Sequence, residues 1–172
     1  MMATDFAPNF NKRPDPSSAL CSLAAITAHE LSPVSVLKSL EDGLATTFGY
    51  ILLTVLVYDA EMRTLRRIFS TRPDINPVGG TKPVTESDWM KRVLGRGIPY
   101  IGYSREDLES VFFDHEVLWS IGCESVLNMP IVDAGKVLGS INMLHGPGWY
   151  SPEDIPTARV FAQLMVPLLL RS

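Results

Sequence analysis

Residues 125–145 restrict the fold more than any other stretch of this chain. Two apolar runs, residues 125–132 and 136–145, flank Asp133-Ala134-Gly135. The glycine supplies the positive φ that a tight connection needs, so the segment reads as a β-hairpin with a three-residue loop. A lone hairpin is marginal in water, and this one is apolar on both faces, so it has to join a larger sheet with cover on each side. Residues 50–58 offer the next strand, a continuous β-branched and aromatic run bounded by Gly49 and Asp59, as expected at the centre of a sheet. The bend Asp59-Ala60-Glu61-Met62 leads into residues 65–70, whose Arg66 and Arg67 fit a more exposed partner strand.

Helical periodicity supplies the cover. Leu20, Leu23, Ala24, Ala28 and Leu31 recur at spacings of three and four from Ser17 onward. Ser32 with Pro33 then starts a second helix, whose apolar side is Val34, Leu37, Leu40, Leu44 and Phe48 and which stops at Gly49. Ser151-Pro152-Glu153-Asp154 opens a last helix with Ala158, Phe161, Ala162, Met165, Leu168 and Leu169 on one side. Between the hairpins the pattern is irregular: a Pro/Gly loop over residues 71–83, helix starts at Thr85 with Asp88 and at Ser104 with Asp107, a short edge strand over 98–101, and a turn of helix from Asp114 closed by Gly122. There is no βαβ alternation and no repeat. The fold class is therefore α+β on an antiparallel sheet, with the irregular insert opposite the terminal helices.

The 172 residues suit one domain over residues 17–172, preceded by a proline-rich arm, residues 1–16, expected to be loosely attached. With 46% hydrophobic and 20% charged residues the chain can build a substantial core and is not disordered. A net charge of -4 creates no field for a phosphate backbone or an anionic bilayer, so neither nucleic acid nor membrane is expected as a partner. Residues 160–170 are too few to cross a bilayer and include Gln163 and Pro167. Cys21 and Cys123 are the two cysteines, far apart, which excludes a disulfide framework and a zinc knuckle. No secretory leader is read in residues 1–16, and a cytoplasmic location is expected.

The chain resembles a GAF domain, the small-molecule-sensing relative of the PAS fold. Residues 17–170 carry the resemblance, chiefly Trp89-Met90-Lys91-Arg92-Val93-Leu94 with Gly97-Ile98-Pro99-Tyr100, then Ile121-Gly122-Cys123-Glu124-Ser125-Val126-Leu127-Asn128-Met129-Pro130-Ile131, Gly135-Lys136-Val137-Leu138-Gly139-Ser140-Ile141-Asn142-Met143-Leu144, and Tyr150-Ser151-Pro152-Glu153-Asp154. The resemblance implies a six-stranded antiparallel sheet, terminal helices on one face, and a ligand cavity roofed by the insert on the other. Relatives bind cyclic nucleotides, bilins, haem, amino acids or other metabolites, and some only dimerise. The cyclic-nucleotide residue set is missing, apart from an unrelated Asn11-Lys12, and residues 65–122 hold no cysteine for a bilin. Neither the carboxylate cluster nor the Cys/Asp/Arg grouping of iron-binding relatives is present, so no metal and no other cofactor is expected.

The candidate ligand residues are the aromatic group Trp89, Tyr100, Tyr103, Phe112, His115 and Trp119, together with Cys123 and the strand residues Asn128, Ser140 and Asn142. Aromatic walls with a few polar groups suit a small-molecule site, and also suit plain core packing. With a three-residue loop Asn128 lies opposite Ser140, with Asn142 on the same face; a four-residue loop shifts that register. Buried amides must find partners, either a ligand or one another. Cys123, eight residues after His115, reads as a small buried hydrophobe or, with a histidine beside it, as a thiolate. His145 reads as exposed, and His29 as facing solvent or the partner helix.

Three functions are open at this level. One is a non-enzymatic sensor of a small metabolite that signals through a homodimer or a protein partner. Another is a cysteine-dependent redox enzyme on a small free substrate, in the manner of the free methionine sulfoxide reductases that share this fold. The third is a ligand-free dimerisation domain. Ala24, Ala25, Ala28, Ala158 and Ala162 with Leu164, Leu168, Leu169 and Leu170 point to a homodimer through the terminal helices.

Overall fold

The structure, a computed structural model, describes residues 13–29 and 32–171. In chain order the elements are α1 (Ser17–His29), α2 (Pro33–Thr47), β1 (Leu52–Asp59), β2 (Thr64–Ser70), β3 (Thr81–Pro83), α3 (Asp88–Met90) running into a π-helical turn (Lys91–Gly95), β4 (Tyr100–Gly102), α4 (Arg105–Val111), α5 (His115–Ser120), β5 (Ser125–Asp133), β6 (Lys136–His145), α6 (Ile155–Leu164) behind a 3-10 turn (Pro152–Asp154), and α7 (Val166–Leu169). They form the expected α+β architecture: one antiparallel six-stranded sheet in the order β3-β2-β1-β6-β5-β4. The apolar run of β1 is buried at the centre, as its composition demanded.

Alternation along the strands divides the core. One face presents Leu53, Val55, Leu127, Met129, Ile131, Ile141 and Met143 to Leu23 of α1, to Val36, Leu37, Leu40 and Leu44 of α2, and to Phe161 and Ala162 of α6. The other face carries two smaller clusters. Leu52, Val126 and Leu144 pack on Leu108, Leu118 and Cys123, while Leu56 and Leu65 pack on Trp89, Met90, Val93 and Leu94.

Several expectations need correction. The hairpin loop has two residues: Ala134 (φ 45) and Gly135 (φ 82) make the connection, Asp133 pairs with Lys136, and a bulge between Ile131 and Val132 takes up the extra residue. Asn128 therefore opposes Asn142, and Ser140 opposes Pro130. The loop over residues 71–83 contains β3, because Leu65 and Arg66 still have an open edge to pair with Lys82 and Thr81. Ser87, not Thr85, caps α3 by accepting the Met90 N–H, whereas Ser104 caps α4 as read. Val34 is 75% exposed and Ala28 is exposed; Leu31 lies outside the described residues. His145 is half-buried, stacked on Trp149 at 3.7 Å. Leu168 and Leu169 are buried by their own chain and Leu164 is half-buried, so the leucine girdle is largely covered; Leu170 stays 60% exposed.

Most of the expected arm, residues 1–12, lies outside the described residues. Arg13 itself is pinned. Its Nε and Nη2 donate to Asp154 at 2.9 and 3.0 Å, and Nη1 and Nη2 donate to the carbonyls of Phe48 and Trp149 at 3.0 and 2.7 Å. That guanidinium ties the approach to α1, the end of α2 and the start of α6 together.

Candidate functional site

The two clusters on the insert-covered face are separated by a polar row that crosses the sheet. In β1 the inward positions read Leu52, Thr54, Leu56, and in register with Thr54 stands Asn142 of β6, then Asn128 of β5. The side chains form one chain of donors. Trp89 Nε1 donates to Asn128 Oδ1 (2.9 Å), Asn128 Nδ2 to Asn142 Oδ1 (2.7 Å), and Asn142 Nδ2 to Thr54 Oγ1 (3.2 Å). All four residues are buried, and each amide is paired with its neighbour, the arrangement that buried amides need.

Above this row the packing is incomplete. An inner chamber of about 40 Å³ is walled by Leu52, Leu56, Leu118, Leu144, Phe112 and Trp89 over a floor of Thr54 and Asn142. Through a neck made by Leu56, Arg67, Asn76, Lys82 and Asp114 it meets an outer cleft of about 230 Å³ beside Phe113, which is 87% exposed. The neck is charged and poorly solvated. Burial lowers the pKa of Lys82, against a smaller opposing effect of Asp114, and lowers that of Arg67 in the same way. Among the described residues neither cation is ion-paired to a carboxylate. Arg67 Nη1 donates to the Pro77 carbonyl at 3.1 Å, while its Nε is buried without a partner. Asn76, 6% exposed, leaves Nδ2 unpartnered. Lys82 Nζ lies 5.5 Å from the centre of the Trp89 ring.

Of the residues singled out from sequence, Trp89, Phe112 and Asn142 reach this chamber, and Asn128 lies beneath it as the link between Trp89 and Asn142. The others are not brought there. Tyr100 is half-buried with its hydroxyl donating to the Asp107 carbonyl (3.4 Å), and Tyr103 is 46% exposed. His115 packs on Trp119 with ring centres 4.6 Å apart, its Nδ1 2.9 Å from the Phe112 carbonyl. Trp119 Nε1 and Ser140 Oγ are buried without partners, away from the chamber lining. Cys123 is fully buried among Leu52, Leu108 and Leu118, and burial pushes its thiol up to about 12. That environment opposes a thiolate. Cys21 is exposed on α1. Among the described residues no three of His, Cys, Asp and Glu gather to hold a metal ion, and no helix is long and apolar enough to cross a membrane.

Sequence reading missed Arg67, Asn76, Lys82 and Asp114. A signal existed for the first: alternation along residues 65–70 requires one of Arg66 and Arg67 to face the covered side. Asn76 and Lys82 gave none, because their burial depends on β3 closing the loop against β2.

A profile of the GAF domain family matches residues 34–166. The chain belongs to the GAF domain family. Solved structures agree in fold. This GAF domain is similar to the GAF domain of an Acinetobacter phosphoenolpyruvate-protein phosphotransferase, with TM-score 0.71 and 13% identity over 90% of this chain and 92% of that one. It is similar to the A. aeolicus nlh2 GAF domain in an inactive state, with TM-score 0.69 and 17% identity over 91% and 97%. A segment of a methyl-accepting chemotaxis protein, residues 122 to 287, gives TM-score 0.65 and 17% identity over 87% and 95%. No curated protein sequence matches the chain.

Proposed function

We propose that this GAF domain is a sensory module: a small molecule occupies the chamber between the sheet and the insert, and occupancy is passed to the terminal helices. The observation that carries the reading is a chamber lined by unpartnered buried donors, Arg67 Nε and Asn76 Nδ2, on a face where every floor amide is already satisfied. Buried donors without acceptors are costly, and a ligand that accepts from them removes that cost. Fold relatives include a chemotaxis protein and a putative two-component sensor histidine kinase, which fits a sensory role.

A route to the terminal helices runs through β6. Asn142 and Leu144 face the chamber, His145 follows at the strand end, Trp149 stacks on His145, and the Arg13 guanidinium sits 5.3 Å from the Trp149 ring while bonding Asp154. The readout is a second copy of the chain or a protein partner, engaged through exposed Val160 and Leu170 and the exposed small residues of α1. Cys123 has no chemical part in this reading.

Native mass spectrometry of freshly purified protein is the test. A retained mass that disappears in Leu118→Trp, a change that fills the chamber, is expected. A folded wild type that retains nothing and shows no ligand-dependent rise in Tm across a metabolite panel would overturn the reading. Sedimentation of Val160→Glu against wild type reads the helix surface: the expected dimer dissociates, and a wild type monomeric at micromolar concentration removes the second-copy route.

A further inference from the structure

The geometry points to a ligand class: a small organic monocarboxylate whose carboxylate lies in the neck between Arg67, Lys82 and Asn76 and whose short apolar chain enters the inner chamber. The inference rests on the proposal that the chamber is a ligand site and adds what the site selects.

Charge decides the head group. The neck brings two cations from adjacent strands, Arg67 on β2 and Lys82 on β3, and one carboxylate, Asp114, ahead of α5. One positive charge is left over, so one negative charge completes the site. A second ionised group on the ligand would face Asp114, which works against dicarboxylates and phosphate dianions. Donor geometry agrees: Arg67 Nε and Asn76 Nδ2 are buried N–H donors with no acceptor, and Lys82 Nζ is held over an aromatic ring rather than a carboxylate. Charge-assisted bonds from such groups are the strong class of hydrogen bond.

Shape decides the tail. Beyond the neck the walls are Leu52, Leu56, Leu118, Leu144 and Phe112, and the floor amides are paired with each other, so the inner end asks for no polar atom. The chamber together with its neck measures about 40 Å³, roughly three water-sized positions at ~10–15 Å³ each, which limits the tail to a chain of about three or four carbons.

The test uses sodium 3-methylbutanoate as probe, with 3-methyl-1-butanol (same tail, no charge), succinate (a dicarboxylate) and inorganic phosphate as comparators. Binding is read by calorimetry and by the NMR shift of the Trp89 indole N–H. The carboxylate is expected to bind at least about tenfold more tightly than each comparator, and to lose about tenfold or more in Arg67→Gln and in Lys82→Gln, as the loss of a charged hydrogen-bond partner implies. Lys82→Glu is expected to prefer 3-methylbutylammonium over the carboxylate, a gain that misfolding cannot mimic. If the alcohol or a comparator anion binds as well as the carboxylate, or the variants bind the carboxylate unchanged, the carboxylate assignment fails while the chamber remains a site. If no probe moves the Trp89 signal and native mass spectrometry finds no retained ligand, the sensory reading fails with it.

Discussion

Asn128→Ala cuts the polar row at its middle. It removes the acceptor of the Trp89 indole (2.9 Å) and the donor to Asn142 Oδ1 (2.7 Å), at residues no more than 6% exposed. Each group left buried without a partner costs about 1–3 kcal/mol, so the substitution is expected to destabilise by about 2–6 kcal/mol. Asn142→Ala strands Asn128 Nδ2 and takes the donor from Thr54 Oγ1 (3.2 Å), with a loss of similar size. The double variant strands only the indole and the threonine hydroxyl, because the two amides that would have been orphaned are both gone. The double loss should therefore fall short of the sum of the singles by the two orphans it avoids, about 2 kcal/mol or more at 1–3 kcal/mol each. Urea unfolding at 25 °C, followed by circular dichroism, measures all four corners of the cycle. Additivity within about 0.5 kcal/mol would refute the claim that these amides satisfy one another.

Arg13→Ala leaves the Asp154 carboxylate, whose side chain is 4% exposed, without its cation, and is expected to lower stability by about 2–4 kcal/mol, with partial recovery in Arg13→Ala/Asp154→Asn; chemical denaturation of both variants measures it, and an unchanged midpoint in Arg13→Ala denies the clasp. Gly139→Ala places a Cβ against the Leu56 carbonyl oxygen and 2.9 Å from Leu169 Cδ2, so a loss of about 3 kcal/mol or more, or failure to fold, is expected; a wild-type Tm would contradict the packing. The Cys123 thiol, raised from 9.0 to about 12 in the fold, stays protonated where the unfolded chain ionises, so its share of stability is present below pH 9 and is lost as pH rises from there towards 12. Stability of Cys123→Ala should fall less steeply than wild type over that range, and equal slopes would refute it. At pH 8 iodoacetamide should label Cys21 in the native protein and Cys123 only after unfolding.

The sequence by itself determined the long strands and helices and their order, though not the edge strand β3. Gly135 forces a tight turn, the run from Leu52 to Val57 needs a central place in a sheet, and the spacing of Ala158, Phe161, Ala162 and Met165 builds one buried helix face; each is a local or periodic signal. It also marked Asn128 and Asn142 as buried polar groups in need of partners. Tertiary structure decided which partner each found. The two-residue turn and the bulge between Ile131 and Val132 each moved the register by one residue, and together they set Asn128 opposite Asn142 rather than Ser140. Likewise Arg67, Asn76, Lys82 and Asp114 come from a strand, a loop, a three-residue edge strand and a helix start, and no spacing relates them. They meet because β3 closes on β2 and the insert folds over both. A neck of charge built by long-range closure leaves no periodic trace in the chain that forms it.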